Sequence, residues 1–241
     1  MIPKIAAIIQ ARMHSTRLPG KVMLPILGKP MLQHMIERLR GCYILADIIV
    51  ATTQSSPEII QLCKDLNVGY WVGSEEDVLG RVLGAARFYD VDIVVELTGD
   101  CPLQDPAMVD KVVADYLLGG ADFVSNNLEY TAPRGFDCRV FPTKNLEMVA
   151  SLTNDPIDHE HVSLYMWEHP EIFICRNVRT EDLPPGDTYR LTVDTMDDFL
   201  VIKILFEDLP PGFTLYDVIQ YLNGHPWVAA LNQHVQQKAV R

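Results

Sequence analysis

Residues 5–22 read IAAIIQARMHSTRLPGKV. The apolar run at 5–9 is short enough for a buried strand. Residues 30–40 place Met31, Leu32, Met35, Ile36 and Leu39 on one helical face. Between them lies a loop closed by Pro19-Gly20. It carries two guanidinium groups (Arg12, Arg17), one ammonium (Lys21), two hydroxyls (Ser15, Thr16) and a run of backbone N–H groups. A strand, a cationic loop and a helix in this order offer what a triphosphate needs, charge neutralisation and many hydrogen-bond donors. The loop is not a P-loop: that motif needs Gly where Ser15 stands and Ser or Thr where Val22 stands. No GxGxxG is present, so a dinucleotide fold has no support.

Outward from this stretch, strands are expected at 47–52, 68–72, 93–97 and 121–125. Helices are expected at 57–66, 76–88 and 106–117. Such alternation argues for an α/β fold, a parallel sheet with helices on both faces. Ligands in these sheets bind beyond the carboxyl ends of the strands. Those ends are 10–21, 52–56, 98–105 and 125–127. The second half is less regular, with strands expected at 136–141, 172–178 and 189–193 and helices at 144–151, 159–168, 195–207 and 215–223. Proline pairs at 184–185 and 210–211 punctuate it. With no repeat and no long linker, residues 1–241 read as one domain with a small antiparallel insertion within 128–180.

The chain carries 20 basic and 32 acidic residues, a net charge of −12. Generic nucleic-acid binding needs a basic surface and is excluded as a reading. The charge is uneven. Residues 1–40 hold seven basic residues and one acid, so this segment is +6 and the remainder −18. Arg38 and Arg40 read as a solvated helix face; Arg12, Arg17 and Lys21 do not. No segment approaches the roughly 18 apolar residues of a membrane helix. No signal peptide is visible. Five widely spaced cysteines fit reduced thiols and a cytoplasmic setting.

Two acids occupy predicted strand ends. Asp100 follows IVVELTG, and Asp194 follows the run at 190–193. Magnesium is commonly held by one or two carboxylates plus substrate phosphates. Asp100 could equally make a turn before Pro102, and Asp194 could cap the following helix. Asp197 and Asp198 read as first-turn acids favoured by the helix dipole. Thr52, Thr53 and Ser55 end a strand at the crevice and are candidates for base or ribose contacts. Cys101 sits beside Asp100 with no partner base in view. His159 and His161 point to different sides of a helix, which argues against shared metal binding.

The segment IIQARMHSTRLPGKVMLPILGKPML at 8–32 resembles the signature of sugar nucleotidyltransferases. It is most similar to the SpsF-like cytidylyltransferases of spore-coat polysaccharide synthesis, relatives of CMP-Kdo and CMP-acylneuraminate synthetases. The resemblance continues through EDVLGR at 76–81, LTGDCPLQDP at 97–106, PRGFD at 133–137, HEHVSLYMWEHPE at 159–171 and RLTVDTMDDF at 190–199. It implies a GT-A-like, Rossmann-like fold with a mixed, mostly parallel sheet. It also implies a Mg²⁺-dependent reaction in which an acceptor attacks the α-phosphorus of CTP and pyrophosphate leaves. Arg12, Ser15, Thr16, Arg17 and Lys21 match the phosphate loop, with Ala11, Met13 and Thr98 beside them. Asp77, Val78 and Arg81 match a nucleotide-proximal segment. Arg134, Phe136, Asp137, Glu160 and His161 fall where an acceptor would sit. His159 stands where the family more often has Arg. Asp100 and Asp194 match the metal acids, and a homodimer is implied.

The expected partners are therefore CTP and a sugar, sugar-acid or phosphorylated acceptor, with Lys21, Arg12 and Arg17 as catalytic cations. Two alternatives stay open. A glycosyltransferase would consume a nucleotide sugar, and Asp90-Val-Asp92 has the spacing of its acid motif, although before a strand. A non-catalytic nucleotide-binding protein would keep the loop.

Overall fold

The computed structural model describes residues 2–180, 183 and 188–238; Pro184 and Pro185 fall outside this set. The chain runs β1 (Ile5–Gln10), β2 (Pro25–Ile26), β3 (Lys29–Pro30), α1 (Met31–Leu39), β4 (Asp47–Thr53), α2 (Pro57–Leu66), β5 (Gly69–Gly73), α3 (Val78–Phe88), β6 (Ile93–Thr98) and α4 (Pro106–Leu117). It continues through β7 (Phe123–Ser125), β8 (Arg139–Pro142), α5 (Thr143–Leu152), α6 (Pro156–His161), α7 (Leu164–Glu168), β9 (Cys175–Asn177), α8 (Met196–Asp208), α9 (Leu215–Gly224) and α10 (Pro226–Ala230).

Seven strands form one sheet in the order β5-β4-β1-β6-β8-β7-β9. Strands β5, β4, β1 and β6 are mutually parallel, β8 runs antiparallel to β6 and β7, and β9 is parallel to β7. The antiparallel component is thus a member of the main sheet, and β2 with β3 forms a separate two-stranded ribbon.

Strand β1 is central because it is apolar on both faces. Ile5, Ala7 and Ile9 join the core that includes α1, α4, α8 and α9. Ala6 and Ile8 join the opposite core with α3, α5 and α7. Each fully buried isoleucine here contributes roughly 1.5–3 kcal/mol relative to exposure. The same alternation along β6 puts Val94 on the second face, and with it Glu96 and Thr98.

Several expectations change. The helix expected at 159–168 is two helices, broken at Val162, whose φ is 53°. A β-branched residue rarely adopts that conformation, and it ends α6 abruptly. The strand expected at 189–193 is only an isolated bridge between Arg134 and Arg190, and that at 172–178 shrinks to β9. Arg38 is not solvated. Its guanidinium donates to the carbonyls of Gln104 (2.8 Å) and Phe213 (2.9 Å) and lies over the Phe213 ring, tying α1 to two distant loops.

Candidate active site

The basic loop leaves β1 at Gln10 and is pinned at both edges. The Met13 N–H donates to Ser56 Oγ (3.0 Å), and the Gly20 N–H donates to the Met13 carbonyl (2.8 Å). Gly20 has φ +70°, the left-handed conformation that glycine tolerates without a Cβ penalty. The chain then turns into a single 3₁₀ turn, Lys21–Met23, which aims Lys21 inward.

Lys21 joins three distant segments. Its Nζ donates to Asp194 Oδ1 (2.9 Å), Asp100 Oδ2 (3.0 Å) and the Val193 carbonyl (2.6 Å). All three ammonium donors are therefore used. The Val193 N–H donates to the Asp100 carbonyl (2.8 Å), locking the two acid-bearing segments together. Burial alone would lower the Lys21 pKa, but the two carboxylates outweigh it and raise it. Burial alone would raise Asp100, yet the Lys21 charge and hydrogen bonds hold it below the usual carboxylate range.

Behind this cluster is a supporting network. Asp194 Oδ2 forms an ion pair with Arg17 (2.9 Å) and accepts a hydrogen bond from Arg190 (2.6 Å). Arg190 Nε donates to Asp198 Oδ1 (2.9 Å), and Asp198 Oδ2 accepts the N–H groups of Asp194 and Thr195, each at 2.9 Å. The N-cap of α8 is Thr195, with Asp198 completing a capping box, so Asp194 is free of that task. Asp198 is fully buried and fixes Asp194 indirectly. Asp197 faces outward toward His234 at 3.2 Å.

Asp100 and Asp194 both reach within 3.0 Å of one ammonium nitrogen. The ammonium is a stand-in cation, and two hard carboxylate oxygens suit Mg²⁺. Among the described residues no cluster of three or more His, Cys, Asp or Glu side chains could hold a metal, so the remaining ligands would come from phosphates and water.

On the other side of the loop, Arg12 donates to the Glu75 carbonyl (3.0 Å) and to Glu75 Oε1 (3.2 Å). Ser55 donates to Glu75 Oε2 (2.8 Å) and meets His14 at 3.2 Å, while Thr53 bonds Ser55 and Ser56. Burial opposes ionisation of Glu75, but hydrogen bonds from Ser55 and Thr53 and the Arg12 charge hold it below its ordinary range. Arg81 is buried against the Ser74 carbonyl. Burial, reinforced by nearby Arg12, pulls its pKa down to about 10, so it remains charged at neutral pH. Asp77 caps α3 through the Gly80 N–H (2.8 Å) and accepts from His159 Nδ1 (2.7 Å). Val78 is core, and the Thr98 hydroxyl meets Cys101 Sγ at 3.3 Å. Ala11 and Thr52 are buried, Ser15 is half-buried and Thr16 is exposed on the loop. Cys101 is no nucleophile: burial first, then Asp100 and Asp137, push its thiol far up.

The residues expected at the acceptor separate. Glu160 and His161 line a cavity of 120 Å³ whose sheet side is Gln10, Glu96, Thr98 and Arg139. Ser163, Leu164 and Trp167 complete it. Arg134 stacks on Tyr130 (3.9 Å) and donates to its hydroxyl, and Asp137 accepts from Asn127 (3.1 Å). Phe136 is completely buried in the core, so its ring cannot contact an acceptor. Asp92 caps the opposite, amino end of β6, accepting the Lys4 N–H (2.7 Å), so Asp90 and Asp92 lie away from the crevice.

Sequence reading missed Glu75, Arg190 and the cavity residues Gln10, Glu96, Arg139 and Ser163. One signal was available. Glu96 is a charged residue inside the apolar strand IVVELT, and a buried acid requires partners.

A family model described as cytidylyltransferase matches residues 6–211. The chain is 31% identical to the spore coat polysaccharide biosynthesis protein SpsF of Bacillus subtilis, covering 92% of this chain and 95% of that one. It is 30% identical to a 3-deoxy-manno-octulosonate cytidylyltransferase of Geobacter metallireducens, covering 72% and 75% respectively. The structure of a cytidylyltransferase from Leptospira borgpetersenii superposes with a TM-score of 0.89 at 33% identity, covering 98% of this chain and all of that one. With the basic loop, the Lys21 ammonium between Asp100 and Asp194, and a family match across most of its length, this chain belongs to the cytidylyltransferase family and is a nucleotidyltransferase.

Proposed function

We propose that the protein transfers CMP from CTP to a sugar or sugar acid, releasing pyrophosphate, in the synthesis of a surface polysaccharide precursor. The observation that carries this reading is the Lys21 ammonium held between Asp100 and Asp194 at the base of the basic loop. Lys21, Arg12 and Arg17 bind the triphosphate and stabilise charge on the departing pyrophosphate. Their present partners, Asp194, Asp100 and Glu75, keep these cations ordered before nucleotide arrives. Asp100 and Asp194 would hold Mg²⁺, which supplies charge neutralisation at the phosphates. The acceptor oxygen bonds to the α-phosphorus as the bond to the β-phosphate oxygen breaks. Positioning and electrostatic stabilisation are the protein's contribution.

A pyrophosphate-release screen of four nucleoside triphosphates against sugars, sugar acids and sugar phosphates tests this reading. CTP with one of these acceptors and Mg²⁺ is the expected productive combination. Calorimetry provides the second arm: CTP with Mg²⁺ is expected to bind, and preference for a preformed nucleotide sugar would reject the assignment.

A further inference from the structure

The family match ends at residue 211, yet the chain returns to the ionic network beyond it. After α10, residues 231–238 form neither helix nor strand. The segment starts anchored: the Leu231 N–H donates to the Val228 carbonyl (3.1 Å), and the Val235 N–H donates to the Asn232 carbonyl (3.0 Å). Asn232 is 2% exposed, and a buried amide needs partners. Its Nδ2 donates to Asp198 Oδ1 and to the Arg190 carbonyl, each at 2.9 Å, so both of its N–H groups are used.

Two further side chains of the segment reach the same region. Gln237 Oε1 accepts from Arg190 Nη1, and His234 meets Asp197 at 3.2 Å. Arg190 is thus held by Asp198 at Nε, by Asp194 at Nη2, by Gln237 at Nη1 and by Asn232 at its carbonyl. The orientation of Asp194 depends on two of these residues. Its N–H donates to Asp198 Oδ2 (2.9 Å), and its own Oδ2 accepts from Arg190 (2.6 Å). Asn232 grips both. Mg²⁺ demands near-ideal octahedral geometry, so an acid that holds it must be fixed, and the groups behind a metal ligand do the fixing. A clasp that merely fastened the segment would need only apolar contact, which Leu231 already supplies. Burying an amide against a fully buried carboxylate carries a desolvation cost that an apolar residue avoids.

We infer that residues 231–237 form a strap behind the transfer site, and that Asn232 is a positioning residue that sets how well Asp194 holds the divalent ion. The inference rests on the nucleotidyl-transfer reading, in which Asp194 is a metal acid. Its test is the affinity of the full chain for CTP without acceptor, measured by calorimetry in excess Mg²⁺ and again in chelator. Mg²⁺ is expected to tighten CTP binding to the wild type. Asn232→Leu is close in shape and removes both donors. It is expected to weaken CTP binding about tenfold with Mg²⁺ and to leave it unchanged in chelator, a split that a merely structural role would not produce. Gln237→Ala, at an exposed position where folding is not at stake, is expected to act in the same direction by about threefold. His234→Ala removes a contact to the outward-facing Asp197 and is expected to match the wild type in both conditions.

The inference is overturned if Asn232→Leu, or Gln237→Ala where the first does not fold, keeps wild-type affinity in Mg²⁺. It is also overturned if CTP binding falls equally with Mg²⁺ and with chelator, or if His234→Ala loses as much as Asn232→Leu. A wild type that binds CTP no better with Mg²⁺ than in chelator would instead remove the metal assignment of the transfer reading, and this inference with it.

Discussion

The two ends of the crevice solve opposite problems. Around Lys21 every charge already has a partner: three acceptors on the ammonium, two guanidinium groups on Asp194 and five donors on Asp198. Around Glu96 a fully buried carboxylate takes hydrogen bonds from Gln10 (2.8 Å) and Ser163 and faces Arg139 at 3.6 Å. A substrate rich in charge can exchange partners with a saturated ionic network, because each contact it breaks is replaced by another. The first arrangement contributes stability and order, while the second holds a carboxylate whose burial opposes its ionisation.

The largest effect is expected at the ionic end. Lys21→Ala and Asp100→Asn should each lower pyrophosphate release from CTP by at least about 10²-fold while the protein stays folded. Near-normal turnover in both would erase the distinction between the two ends. Next is Asp198→Ala, which leaves Arg190 paired with Asp194 alone and removes the acceptor for two backbone N–H groups. A loss of about 2–6 kcal/mol in urea unfolding is expected, because each N–H left without its acceptor costs about 1–3 kcal/mol.

Glu96→Gln should move stability the other way. Burial raises the Glu96 pKa above its ordinary 4.5, only partly offset by Arg139 and neighbouring hydrogen bonds. The folded state therefore holds its proton longer than the unfolded chain, and wild-type stability drains away as pH rises above about 4.5 until the folded carboxyl ionises. The variant lacks this drain. Its gain over wild type should be near zero below pH 4.5 and grow toward neutrality, read as unfolding midpoint against pH.

The smallest effect is at His159. Its Nδ1 faces the Asp77 carboxylate and its Nε2 the Thr153 carbonyl, two acceptors, so both nitrogens must donate and the ring is an imidazolium. The Asp77 hydrogen bond raises its pKa. Its contribution is therefore complete below 6.5 and lost as pH rises through the raised value. At this half-open position His159→Gln should cost at most about 0.5–1 kcal/mol in acid and nothing in alkali. A larger cost would show that the link between α6 and α3 also supports the site.

Local pattern made much of the molecule legible. The apolar run before the basic loop, the turn at Pro19-Gly20 and the alternation of strands with amphipathic helices follow from periodicity and backbone preference, which neighbouring residues encode. The loop cations and Asp100 were visible for the same reason, their positions relative to β1 and β6 being local facts, and Asp194 was visible by its place just before α8. What meets what was not local. Lys21 reaches Asp194 across 173 positions, Gln10 reaches Glu96 across 86, and Arg12 reaches Glu75 across 63. Those pairings depend on strand order and register. The placement of Arg139 opposite Glu96 depends on β8 entering the sheet antiparallel beside β6. The break at Val162 runs against the local helical pattern, and Phe136 was drawn into the core although its motif placed it near the acceptor. The sequence by itself determined the sheet, the cationic loop and the kind of chemistry. Tertiary structure alone decided which charges are satisfied and which polar atoms are left open, because burial and pairing are properties of segments brought together from far along the chain.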